Sequence, residues 1–161
     1  MPSLDPISVR HADPDTTDWA SVLALVMKAF AHMEGRIDPP SSANRLTLKD
    51  MAAQAESGIV LLAKDHTRLV GCVFLNPKTD VMYLGKLAVD PSRQGEGIGR
   101  RLFEASVEAA KVQKFAEIEL QARVELTENH AAFAALGFRE TGRTAHDGYD
   151  RPTSVTMRCR L

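Results

Sequence analysis

The chain has 161 residues, 44% apolar and 25% charged, with a formal net charge of −1. That length suits one globular domain over residues 1–161 with a real core, and the near-neutral charge argues against a nucleic-acid or membrane-surface partner. No apolar run approaches membrane-spanning length, and Met1 to Ser8 lacks the basic start and apolar stretch of a leader, so a cytoplasmic location is expected.

In chain order, Ile7 to Arg10 reads as a short strand. Trp19, Val22, Leu23, Val26, Phe30 and Met33 recur at three- and four-residue steps, one apolar face of a helix entered through Thr16-Thr17-Asp18. Pro39 and Pro40 break the segment that follows, and Thr47 with Asp50 fits a capping box opening a helix that ends near Gly58. Two β-rich runs, Ile59 to Lys64 and Leu69 to Leu75, flank the polar Asp65-His-Thr-Arg68 and predict a hairpin. Val81 to Val89 is the next strand. Beyond a glycine-rich loop, Ile98, Leu102, Ala105, Ala109 and Val112 form the apolar stripe of a long helix whose outer face carries Arg100, Glu104, Glu108 and Lys111.

Ala116 to Ala122 alternates apolar with polar residues, a strand with one wet face. Thr127 is expected to cap a short helix running through Ala135 and stopped by Gly137, and Phe138 to Leu161 should form two strands around the polar turn Ala145 to Pro152. Cys72 and Cys159 sit in apolar or strand-like contexts without C-x-x-C spacing or clustered histidines, so they read as reduced core thiols and no metal site is expected.

The glycine loop carries the most chemistry. Gly95, Gly97 and Gly99 alternate between an apolar strand and the start of a helix, so backbone N–H groups and the positive end of the helix dipole are available to a phosphate. Arg100 and Arg101 oppose that dipole unless an anion sits there. Spacing excludes two ligand classes. A dinucleotide fingerprint needs glycine at the sixth position, where counting from Gly95 gives Arg100 and from Gly97 gives Leu102; a Walker loop needs Gly-Lys-Ser/Thr, absent between Gly95 and Phe103.

Gln94-x-x-Gly97-x-Gly99, with the preceding strand Leu84 to Pro91, resembles the acyl-coenzyme A pyrophosphate loop of the GNAT superfamily of N-acetyltransferases. Asn129 to Phe138 resembles the superfamily's N-x-x-A-x-x-x-L-G-F stretch, and the order of elements is similar to the whole GNAT domain. The resemblance implies an α/β fold with a twisted mixed sheet of about seven strands and about four flanking helices. It implies acetyl-coenzyme A as co-substrate and a primary amine, on a small molecule or exposed on a protein, as acceptor. A non-catalytic acyl-coenzyme A-binding module, or an enzyme with another acyl group or acceptor, is the alternative. A homodimer is left open, because the apolar strand edges that would mark one are not separable from core in the sequence.

Carried over residue by residue, Leu87, Ala88 and Val89 would pair with the pantetheine arm as if it were an added strand. Gln94, Gly95, Glu96, Gly97, Ile98, Gly99 and Arg100 would wrap the pyrophosphate, and Asn129 would contact the coenzyme arm. A backbone N–H at Leu87 or Ala88 would meet the thioester oxygen as charge develops. The chain departs from the pattern at Phe133, which stands near the leaving sulfur where the family often has a tyrosine. Of the proton-transfer candidates, Glu34 is the proposed base, with Tyr83 on the strand leading to the acetyl site and Tyr149 in the last turn as phenolic donors. His130 is a further shuttle candidate beside Asn129. In this family the loop between the first two helices covers the acceptor, so Arg36, Asp38 and Ser41 are candidate contacts, and Lys86 would either neutralise a substrate carboxylate or extend outward.

Overall fold

The computed structural model describes residues 6–161, so the Met1 to Asp5 part of the leader reading lies outside the described residues. The described residues form seven strands and four α-helices: β1 (Ile7–His11), α1 (Trp19–Phe30), α2 (Leu48–Ser57), β2 (Ile59–Asp65), β3 (Arg68–Pro77), β4 (Met82–Val89), α3 (Ile98–Val112), β5 (Glu117–Arg123), α4 (Thr127–Ala135), β6 (Arg139–Thr144) and β7 (Ser154–Arg160). One mixed sheet runs in the order β1-β2-β3-β4-β5-β7-β6, antiparallel except for the parallel β4–β5 pair. This is the mixed α/β architecture expected from the sequence.

Two apolar layers sandwich the sheet, and the pleat sorts residues between them. Val60, Leu62, Cys72 and Phe74 pack with Trp19, Val22, Leu25, Val26 and Met51 beneath α1 and α2. Their neighbours Leu61, Ala63, Val73 and Leu75 pack with Ile98, Leu102 and Phe103 of α3. Burial on both faces is why β2 and β3 read as continuous apolar runs instead of alternating ones. On β5 and β7 the outer face is wet, and Arg158 bonds Glu119 at 2.9 Å while Arg139 bonds Glu117 at 3.0 Å. Strand β6 is exposed at all six positions, and its Arg139, Glu140 and Arg143 blunt that sheet edge. No helix among the described residues is long and apolar enough to cross a membrane.

Three local expectations are corrected. Val112 does not belong to the α3 stripe: it is 81% exposed, while Ser106, Ala109 and Ala110 are buried. A strict heptad drifts by about 20° per repeat on a 3.6-residue helix, so the buried stripe has rotated past Val112 by the last turns. Thr127 is the first residue of α4 and not its cap; Leu126 precedes the helix with no side-chain capping bond. Leu126 is only 2% exposed, so the chain enters α4 from the core, and its carbonyl takes the Asn129 N–H at 3.0 Å. In α1 the buried face includes Leu25 and Ala29, and a 3-10 turn, Ala31–Met33, ends the helix before Met33. The Thr47–Asp50 capping box of α2 is present in both directions.

The feature that creates a site is where the sheet opens. Strands β4 and β5 pair only at Met82↔Ile118 and Tyr83↔Glu119, then diverge. Across β4's other edge the register slips, with Gly85 opposite Phe74 and Ala88 opposite Cys72. Two residues, Lys86 and Leu87, thus oppose one, a bulge in which Lys86 takes a φ of +48°.

Candidate active site

Asp90 anchors the glycine loop from below. It is 5% exposed, and its Oδ1 accepts from the Ser92 N–H at 2.9 Å and hydroxyl at 2.8 Å, with the Lys28 ammonium 3.4 Å away. These Ser92 bonds, then the Lys28 charge, hold its carboxyl below the usual carboxylate range. Arg93 donates through Nε to Glu96 and through Nη1 to Asp65 at 3.0 Å, fixing the loop against the β2–β3 hairpin. Gly95 and Gly97 have φ of +83° and +81°, and a Cβ at either would meet no atom within 4 Å. Backbone conformation and an open approach, not crowding, call for glycine there. Gly97 opens α3 with no side-chain cap, so the first-turn amides of the 15-residue helix have no side-chain oxygen of their own. Arg100 is exposed and lies 4.0 Å from Glu104.

A cavity of about 560 Å³ runs from this loop along the free edge of β4 to α4. Leu87, Ala88, Val89, Gln94, Gly95, Gly97, Ile98, Gly99, Arg100, Asn129 and Phe133 all line it; Glu96 does not. Beside it lies a second cavity of about 260 Å³, filling the gap between β4 and β5, lined by Tyr83, Lys86, Ser41, Gln121, Arg123 and His146 among others. Phe30, Met33, Leu87, Asn129 and Phe133 line both and form a common waist. Phe133 is held there edge-on by Phe138, ring centroids 5.8 Å apart.

The loop after α1 closes over the smaller cavity and is tied down from the far side. Asp38 accepts from the Tyr149 hydroxyl at 2.5 Å and from Arg151 at 3.3 Å, while its backbone N–H donates to Glu125 at 3.0 Å. Arg123 Nη2 donates to the Pro40 carbonyl at 3.1 Å, and Arg36 pairs with Glu128 at 2.6 Å. Ser41 faces the cavity while its Oγ accepts from the Ala43 N–H at 3.1 Å.

The candidates named from sequence therefore separate. Tyr83, Lys86 and Ser41 meet at the smaller cavity; Arg36, Asp38 and Tyr149 fasten the loop above it. Glu34 lines neither joined cavity but a neighbouring hollow of about 240 Å³ beside Met27 and Gly35. His130 is engaged with the Arg123 carbonyl at 2.8 Å. Sequence reasoning missed Gln121 and Arg123 and the cavity roles of Phe30 and Met33, and from the last polar turn it picked Tyr149 where His146 is the residue that lines the cavity. Arg123 lies one residue beyond the alternating β5 pattern as read, and only the splay of the strands turns it toward a cavity.

Among the described residues, no aspartate or glutamate lines the smaller cavity; its charged side chains are Lys86 and Arg123, with His146 alongside. Burial, followed by the Glu119 charge, raises the Tyr83 phenol, which stays protonated. Burial lowers the Lys86 ammonium. Cys72, buried beneath the bulge, is pushed up to about 12 by desolvation and is an inert thiol. No group of three His, Cys, Asp or Glu among the described residues is arranged to hold a metal ion.

The sequence model described as the Acetyltransferase (GNAT) family matches residues 19–138. The fold is similar to that of PaiA N-acetyltransferase from Thermoplasma acidophilum in complex with coenzyme A, with a TM-score of 0.79 at 14% identity over 96% of this chain and 99% of that one. It is similar to a GNAT family acetyltransferase from Elizabethkingia anophelis with acetyl-CoA bound, with a TM-score of 0.70 at 19% identity over 98% and 100%. The ribosomal-protein-S18-alanine N-acetyltransferase from Escherichia coli aligns with a TM-score of 0.70 at 22% identity over 96% and 93%. No match was found among curated proteins. A matched segment of that extent, coinciding with the glycine loop, the splayed β4 and the two joined cavities, assigns the chain to the GNAT acetyltransferase family.

Proposed function

We propose that the protein transfers an acetyl group from acetyl-coenzyme A to a primary amine, with coenzyme in the larger cavity and amine in the smaller. The observation that carries this reading is the shared waist of Phe30, Met33, Leu87, Asn129 and Phe133, where two ligands entering from opposite sides would touch. Direct attack, without a covalent enzyme intermediate, needs such a junction.

Residues of the larger cavity fit the coenzyme. The uncapped amides after Gly97 and the unobstructed faces of Gly95 and Gly97 suit a pyrophosphate, and the free edge of β4 from Leu87 to Val89 suits an extended amide-bearing arm. Bound coenzyme would supply an acetyl thioester and a thiolate leaving group. Leu87, displaced by the bulge and beyond the β5 pairing, would direct its N–H to the oxygen that gains charge, and Asn129 adds the one amide side chain at the waist. As the C–N bond forms and the C–S bond breaks, the amine gives up a proton and the sulfur keeps the electron pair. Phe133 offers no proton to that sulfur. A thiol titrates near 8.5, so unassisted departure is chemically acceptable, and Tyr83, kept protonated on the wall of the smaller cavity, is the phenolic candidate.

Among the described residues no carboxylate lines the cavity proposed for the amine; His146 lines it and Glu34 lines the hollow adjoining it, so either of these or water would take the proton. An α-amino group with a pKa near 8 is already about one part in ten neutral at pH 7, against a few parts in ten thousand for a lysine-type amine. The test is thiol release from acetyl-coenzyme A across an amine panel, with coenzyme binding measured by calorimetry. Acceptor-dependent release is expected. Tight coenzyme binding without release for any amine would favour a binding-only module.

A further inference from the structure

We infer that the acceptor is a small amine carrying a carboxylate, and that Arg123 and Lys86 hold that carboxylate. The inference rests on the transferase reading. Its first support is the sign of the cavity: the fixed charges lining it, Lys86 and Arg123, are both positive, and among the described residues no acidic side chain lines it. A site for an unadorned ammonium would place a carboxylate there; two cations repel such a substrate and attract one whose amine is offset by a negative group. The two cations stand on opposite walls of the gap, Lys86 on the bulge of β4 and Arg123 at the diverging end of β5.

The second support is an unanswered donor. Arg123 lines the cavity and gives Nη2 to the Pro40 carbonyl, while Nη1, just beneath the surface, has no hydrogen-bond partner among the described residues. The nearby carboxylates act on Arg123 through charge without a hydrogen bond to it: Glu125 Oε2 accepts the Asp38 N–H, and Asp38 accepts from Tyr149 and Arg151. Glu125 Oε1 is also unpaired but does not line the cavity. A buried guanidinium N–H without an acceptor is costly, and a planar carboxylate is the group that guanidinium geometry matches best.

The third support is size. The cavity holds about 260 Å³ and is roofed by the loop that Asp38 and Pro40 tie to β5 and to the last turn. That space suits a free amino acid or a similar short amino-carboxylate, not a protein segment. Lys86 is adjacent in sequence to Leu87 at the waist, so a carboxylate held there leaves an amine two or three bonds away near the point of transfer.

The experiment compares matched pairs of amines with and without a carboxylate, such as alanine with ethylamine and phenylalanine with phenethylamine, by thiol release from acetyl-coenzyme A. For the best pair, kcat/KM should favour the carboxylated member by at least about a hundredfold, as for sites that hydrogen-bond a defining substrate group. In Arg123→Gln that preference should collapse through KM with coenzyme affinity unchanged, and Arg123→Lys should restore part of it. Equal or better turnover of the decarboxylated partners by the wild-type protein would overturn the inference and leave the transferase reading standing. If no amine supports release, the transferase reading falls, and N-acetylated amino acids titrated by calorimetry decide the carboxylate site separately. Binding that Arg123→Gln abolishes would support it, and no binding to the wild type would overturn it.

Discussion

The two walls of the cleft are made in opposite ways. The wall proposed for the coenzyme is built on one local stretch between Leu87 and Arg100, shaped by a bulge, two positive-φ glycines and an uncapped helix start, with side chains of α1 and α4 facing it. The wall proposed for the acceptor is side chains from remote parts of the chain: Tyr149 and Asp38 are 111 residues apart, Asp38 and Glu125 are 87 apart, and Arg123 and Pro40 are 83 apart. A backbone cradle recognises a pyrophosphate whatever side chains surround it, and so serves one donor across a family. A side-chain wall is rebuilt by single substitutions, which is where acceptor choice resides.

The sharpest way to break this contrast is at Gly97. Gly97→Val puts a β-branched residue at a φ of +81°, with a backbone strain of about 1–2 kcal/mol and a side chain between ligand and amides. Coenzyme affinity by calorimetry should fall about a hundredfold, a loss of about 2.7 kcal/mol. Gly99 is the control: its added Cβ would meet Val89 at an ordinary 3.7 Å, so Gly99→Ala should stay within about threefold.

A smaller effect is expected from Asp38→Ala, which releases Tyr149 and Arg151 from the roof. Steady-state kinetics should show acceptor KM rising about five- to tenfold, on the scale of one or two lost exposed hydrogen bonds, with coenzyme affinity unchanged. An equal loss of both affinities would mean the two walls are not independent.

Asp90 tests the base of the loop through pH. Its carboxyl is held below the usual range in the folded protein, so the unfolded chain takes up the proton first and stability rises with pH across that interval. Its contribution should be complete above about pH 5 and vanish as pH falls through the lowered folded value. Asp90→Asn should cost about 1 kcal/mol at pH 7 by denaturant unfolding, and the difference from wild type should shrink toward pH 3. The smallest effect is expected at the waist: Phe133→Tyr should change kcat by at most about threefold, because a thiolate of pKa near 8.5 gains little from a neighbouring phenol.

The contrast also explains what could be read before folding. The glycine loop was legible because its requirement is local: N–H groups exposed by positive φ and by a helix start occur at fixed spacing. The Thr47–Asp50 capping box and the β2–β3 hairpin were legible for the same reason. Val112 was misassigned because the stripe precesses along α3, and Thr127 because a buried Leu126 dictates how α4 begins. Glu34, named as base from its place beside the loop after the first helix, lines a hollow that adjoins the smaller cavity and shares Phe30, Met33, Ile37, Ser41 and Ala43 with it. Arg123 carried no signal, since a charged residue at a strand end is ordinary until the neighbouring strand diverges from it.

By itself the sequence determined the order of elements and the place of the loop glycines, which follow from periodicity and caps within a few residues, and the resemblance of Gln94-x-x-Gly97-x-Gly99 and of Asn129 to Phe138 pointed to the family that the sequence model shows. Only the tertiary structure decided which side chains line the smaller cavity. That choice depends on where β4 and β5 part and on hydrogen bonds between residues about a hundred positions apart, whose pairing no local pattern encodes.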